Sequence, residues 1–354
     1  MRLGVRLLDL VRTGARTTTY KPATLLAMID VLAAQADATG GVPDEIVLRD
    51  LGERVVALYW PQVRAYAGMD REAFVLRQIR DRNKGSVILD AVRQLYEAST
   101  RIEVHSPDRA AVALPREYRE AVARVTRNLT LYPLRLLQVP ARRGPGGAYE
   151  RLLYDDGVFG GAPPQVLRLH QGVGQQLVAL GALLVPALQA EWTLQVADMN
   201  ALPSEDLRAH LFGRERQDLT PLRELLRGLQ DRVCLYCQRP LRTGGQVDHV
   251  VPWSLHPQDA LENLVLAHDA CNLSKSAYLL DAEPLAAWAA RDLQQLEAAA
   301  KSAGWRSLPV AVFSTARAAY VHGAATRVWS RYDGVRDLEE GEVHERFLPL
   351  LQAA

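Results

Sequence analysis

Lysine is nearly missing from this 354-residue chain: Lys21, Lys84, Lys275 and Lys301 are the only four, although lysine and arginine together number 42. The basic charge is therefore carried almost wholly by arginine. Net charge is close to zero as well, at +1, so the overall balance argues neither for nor against a polyanionic partner. Cysteine is scarce, and all three, Cys234, Cys237 and Cys271, fall in one window. Such an odd, clustered set excludes a disulfide framework and points to metal. No long apolar run exists either. The longest, Leu177 to Leu188, is broken by Pro186 and falls short of the roughly 20 residues a bilayer crossing needs, so neither a membrane segment nor a membrane partner is expected. The start, MRLGVRLLDLVRTGAR, is basic and amphipathic but lacks an apolar core followed by a small-residue cleavage site. The chain reads as a cytoplasmic protein without internal repeats.

At 48% hydrophobic it can bury a sizeable core, and its length suits two or three domains. The patterning is α+β and predominantly α-helical. TTTYKPATLLAMIDVLAAQ reads as a capped helix, EIVLRDL as a short β-like segment, and GERVVALYW as a second helix. That order is compatible with a winged-helix-like N-terminal region and equally with plain helical packing. Residues 71–126 read as helical with a small hairpin at RIEVHSPDRAAVALP, and ARRGPGGAYE is too rich in Gly and Pro for regular structure. The expected division is a helical N-terminal domain at 1–126, a helical middle region with a basic loop at 127–230, a metal-braced module at 231–281 and a helical segment at 282–354. Between Arg101 and Arg151 stand ten arginines against five acids. Such a stretch, Arg142 and Arg143 in its loop above all, suits contact with phosphates; a solvated helix face is the plainer reading.

Chemistry concentrates further on. CLYC at 234–237 and HDAC at 268–271 are both ligand-x-x-ligand pairs. Cys234, Cys237, His268 and Cys271 make four ligands, the closed shell of a structural Zn²⁺; a three-cysteine site completed by His256 or water is the alternative. The interval between the pairs is too long for a small finger loop, so something folded must fill it. It contains GGQVDHVVPWS, a β-type segment after a Gly-Gly turn, then NLVLAH, a second one, and a helix should follow from about Asp269, an acid suited to a helix N-terminus. Two strands and a helix clamped by zinc make a ββα unit.

The residues within it resemble the HNH (His-Asn-His, ββα-metal) nuclease family, most closely a bacterial group of free-standing HNH proteins. The match consists of Asp248-His249 before Val250-Val251-Pro252, Asn263 leading the second strand, and Cys271-Asn272 with Lys275 on the helix. One departure is His268, which stands where many members carry a cysteine. The resemblance implies a zinc-braced nuclease module that hydrolyses a phosphodiester with one histidine and one divalent ion, giving 5′-phosphate and 3′-hydroxyl products. His249 is then the general base, since a neutral imidazole with a pKa of about 6.5 is suited to take a proton from water. Asp248, pointing the other way along its strand, would join Asn272 in offering oxygens to a hard Mg²⁺ or Mn²⁺ ion. Asn263 takes a supporting role, holding the loop after His249. Lys275 contacts phosphate or lies on a solvated face.

The implied function is a metal-dependent DNA endonuclease, with RNA the less favoured substrate. By analogy it works in restriction or antiphage defence, as a homodimer or with a defence-system partner. The competing reading is a zinc-stabilised nucleic-acid-binding or sensor protein whose HNH module is inactive or is switched on only by a partner.

Overall fold

The protein is described by a computed structural model that covers all residues except 1, 14–16, 68–72, 82–84, 141–146, 148, 162–163, 205–206, 213–218, 243, 253–258, 323–326, 340 and 353–354. Helix accounts for 59% of it and the sheets are small, so the fold is α+β and helix-rich. The chain divides into two compact units, Met1–Leu32 with Pro43–Glu215, and Ala33–Val42 with Arg216–Ala354.

In the first unit, helices Leu48–Tyr59, Val87–Thr100 and Pro115–Leu131 pack on one another. Their periodic apolar faces drive this: along Val87–Thr100, Ile88, Leu89, Ala91, Val92 and Leu95 are buried. Ser86 begins that helix, its Oγ accepting from Leu89 N at 3.1 Å. The first and third helices approach so closely that a Cβ on Gly52 would sit 2.0 Å from Thr126 Oγ1; only glycine fits there. Two local expectations fail in this unit. The β-like stretch is strand only over Glu45–Val47, paired antiparallel with the distant Val166–Arg168, and helix begins at Leu48. The hairpin expected at 101–115 is a turn followed by helix Pro107–Ala113. There Ser106 accepts from Arg109 N at 3.2 Å and Pro107 occupies the first turn, so capping chemistry outweighs the β-branched residues. Among the described residues no single helix is long and apolar enough to cross a membrane; Val173–Ala179 and Leu183–Asn200 pass together but are bent by 77°.

The second unit contains the cysteine window. Strand β1 (Gln246–His249) pairs antiparallel with β2 (Leu264–Ala267), with Asp248 opposite Val265 and His249 opposite Leu264. The turn into β1 uses Gly244 and Gly245 at φ of 68° and 97°, values that favour glycine. Helix α1 (Asp269–Lys275) follows β2 after one residue, so the expected ββα order is present. All four β2 residues are buried. They share one core with Trp288, Trp305, Phe313 and Trp329 from the chain that follows. Trp288 and Phe313 stack with ring centroids 4.6 Å apart. Trp288 Nε1 donates to Glu262 O at 2.8 Å, and the Arg291 guanidinium to Leu264 O at 3.0 Å. Burial lowers the pKa of Arg291 to about 10, which leaves it cationic at neutral pH. These donors satisfy carbonyls at the start of β2 that would otherwise be buried without partners.

Candidate active site and metal centre

The metal centre is built from two turns facing each other. In the first, Gln238 N donates to Cys234 O at 2.9 Å and Cys234 N to Arg239 O at 2.9 Å, folding CLYC into a tight knuckle. Asp231, Arg232 and Gln238 flank it with φ of 49°, 61° and 52°, a left-handed conformation that costs about 1–2 kcal/mol per non-glycine residue. The second turn joins β2 to α1. There His268 N lies 3.3 Å from Cys234 Sγ, and His268 Nδ1 lies 3.3 Å from Cys237 Sγ. The ligand atoms of Cys234, Cys237, His268 and Cys271 all fall within 4.8 Å of one another. Ligands of a tetrahedral zinc stand about 3.5–3.8 Å apart, so this donor set fits the ion. His268 Nε2 sits 3.3 Å from Pro240 O, an outer contact of the kind that orients a metal-binding imidazole. His268 thus stands in the ligand cluster, and His256 lies outside the described residues. Burial, followed by the neighbouring Cys234 and Cys237, pushes the Cys271 thiol up to about 12. Thiolates crowded in this way require a cation.

Asp248 and His249 are adjacent on β1 and project to opposite sides. Tyr236, inside the knuckle, donates its hydroxyl to Asp248 Oδ2 at 2.6 Å. Burial and the adjacent carboxylate raise the Tyr236 pKa well above its usual value, so the phenol remains a donor. The Asn272 amide presents one end to Asp248, 3.1 Å from Oδ1 and 3.3 Å from Oδ2, and the other to Gln246 Oε1 at 2.7 Å. With its nitrogen toward Asp248 the amide donates to the carboxylate. With its oxygen there, two acceptors face each other at a spacing close to the roughly 3 Å between neighbouring oxygens around an octahedral Mg²⁺. The pair fits such an ion.

Lys275 is where sequence reasoning went wrong. Read as a phosphate contact or a solvated cation, it is 1% exposed. Its Nζ donates to His249 O at 2.8 Å and lies 3.2 Å from Asp248 Oδ2. Its charge is spent inside the module, because position 275 puts it on the face of α1 that packs against β1. Asn263 is fully buried; its Oδ1 accepts from Val251 N at 2.8 Å and its Nδ2 donates to Val251 O at 3.0 Å, clamping the backbone two residues past His249. Arg142 and Arg143 lie outside the described residues.

His249 has a partner that sequence reasoning missed. Its Nε2 lies 2.7 Å from Asp259 Oδ1, with side chains 14% and 9% exposed. No motif marks Asp259; the one cue is an acid placed directly before the apolar pair Ala260-Leu261.

A hairpin and helix braced by a Cys₃His cluster, with Asp-His on the first strand and Asn on the helix, define a ββα-metal module. Residues 234–277 match the model of the family described as HNH endonuclease, and this segment is an HNH endonuclease domain with a zinc-knuckle cluster. It implies a nuclease and hence a nucleic-acid substrate. No curated protein and no solved structure matches the chain.

Proposed function

We propose that the protein is a metal-dependent endonuclease that hydrolyses DNA phosphodiester bonds, with His249 as general base. The observation that carries this reading is the gathering of Asp248, His249 and Asn272 on one hairpin and helix, with the Asp248 carboxylate within 3.1 Å of the Asn272 amide. Asp248 and Asn272 would hold a Mg²⁺ or Mn²⁺ ion. Such an ion supplies Lewis-acid stabilisation of charge on the scissile phosphate and its leaving oxygen. Neutral His249 takes a proton from water, the water oxygen bonds to phosphorus, and the bond to the 3′ oxygen breaks. That oxygen takes its proton from solvent, leaving 3′-hydroxyl and 5′-phosphate ends, and the imidazolium returns its proton to solvent. Tyr236 and Lys275 hold the Asp248 carboxylate while Asn263 fixes the chain beyond His249. The zinc is structural and braces the elements that carry these groups.

The setting we propose is cytoplasmic, in restriction or antiphage defence, with residues 1–230 selecting the target or receiving a signal, alone, as a homodimer or with a partner. Incubating purified protein with supercoiled plasmid, and in parallel with structured RNA, tests the enzymatic claim. Nicking of the plasmid in Mg²⁺ or Mn²⁺ but not with chelator is expected. Tight binding with no cleavage under any divalent ion would favour a binding module, and cleavage of RNA alone would overturn the substrate.

A further inference from the structure

We infer that Asp259 is a positioning residue that fixes the tautomer of His249; the inference rests on the nuclease reading of the same site. A neutral imidazole carries one N–H and one lone pair, and a carboxylate only accepts. With Asp259 Oδ1 2.7 Å from Nε2, the proton of neutral His249 resides on Nε2 and the lone pair on Nδ1. Nδ1 is then the atom that takes the proton from the attacking water, and the carboxylate balances the imidazolium formed as the water oxygen bonds to phosphorus.

Asp259 is itself held in place. Trp305 Nε1 donates to Asp259 O, and Trp305 is 5% exposed within the core of the second unit. The neighbouring Leu261 N donates to Arg306 O at 3.2 Å. A carboxylate oriented by its own backbone anchors and turned onto a histidine ring is arranged to restrain that ring. The chain after the HNH segment thereby reaches the base through Trp305, which gives residues outside the family match a part in its chemistry.

Asp259→Asn separates this role from a packing role, because the amide has the same shape but can also donate to Nε2 and so admit the other tautomer. A fall in kcat of at least about tenfold, with KM, zinc content and melting temperature near the parent's, is the expected result. Nitrogen-15 spectra of histidine-labelled protein, assigned with His249→Gln, should show His249 protonated on Nε2 in the parent and shifted toward Nδ1 in Asp259→Asn. A parental kcat in Asp259→Asn, or an Nδ1-protonated ring in the parent, overturns the inference. If the parent cleaves nothing, the nuclease reading fails, yet the parent spectrum still decides the tautomer.

Discussion

Asp248 is held by two donors, the Tyr236 hydroxyl and the Lys275 ammonium, and faces the Asn272 amide. The first two converge on Oδ2, so the carboxylate is fixed in rotation before any ion arrives. Pre-set geometry of this kind is what a site needs to act without reorganising. Lys275→Gln should lower stability by roughly 1–3 kcal/mol, the cost of leaving a buried acceptor without its donor, as measured by urea unfolding. The same substitution should leave the salt dependence of DNA binding unchanged. A phosphate contact would instead reduce the slope of log K against log salt by about one. The zinc ligands could be read from the sequence because each ligand-x-x-ligand pair sits on a single turn, whereas Asp248, His249 and Asn272 were indicated only by the resemblance to the HNH family. The roles of Lys275 and Asp259 could not be read from it. The first depends on which face of α1 meets β1, and the second on a contact made ten residues on, secured by a tryptophan from far along the chain.

At the level of elements, the hairpin and α1 are too small to bury a core of their own. Two things secure them: the Cys₃His cluster at one end and the Trp288, Trp305 and Arg291 contacts along β2 and the loop before it. Cys234→Ser should therefore lose zinc and lose amide protection over β1 and β2 in hydrogen exchange, while residues of the first unit keep theirs. Zinc retention with native protection would contradict this. Asn263→Ala removes two hydrogen bonds to the Val251 backbone and leaves both of its groups buried, at a cost of about 2–4 kcal/mol, to be read from denaturant midpoints. The ββα order was legible from the Gly-Gly turn, the β-type runs and Asp269. In the first unit, helix periodicity was legible but partners were not. Glu45–Val47 pairs with a strand far along the chain, and at Ser106-Pro107 a helix start competes with the β-branched residues nearby.

At the scale of the whole molecule, ion pairs among the described residues join both near and distant parts of the chain. In the arginine-rich stretch, Arg116 meets Glu120 at 3.0 Å and Arg151 meets Asp156 at 2.9 Å. In the second unit Arg336 bridges Asp281 and Glu342. Hydrogen bonding to Arg336 is the main force lowering the Glu342 carboxyl from 4.5 to about 2. A carboxyl depressed in the folded state stabilises it fully above its unfolded pKa and loses that contribution as pH falls through the folded value. Between pH 4.5 and 2, acid titration should therefore destabilise the parent more steeply than Glu342→Gln; parallel curves would contradict the pairing. The role of residues 1–230 was not legible, because helical packing alone carries no chemistry that names a partner.

The assignment of His249 as general base is decided by single-turnover cleavage of a labelled DNA duplex in Mg²⁺ or Mn²⁺, comparing the parent with His249→Ala at equal zinc content. With His249 as the base, the parent cleaves to ligatable 5′-phosphate ends and the variant loses roughly 10²-fold or more in rate. Cleavage by His249→Ala at the parental rate would contradict it.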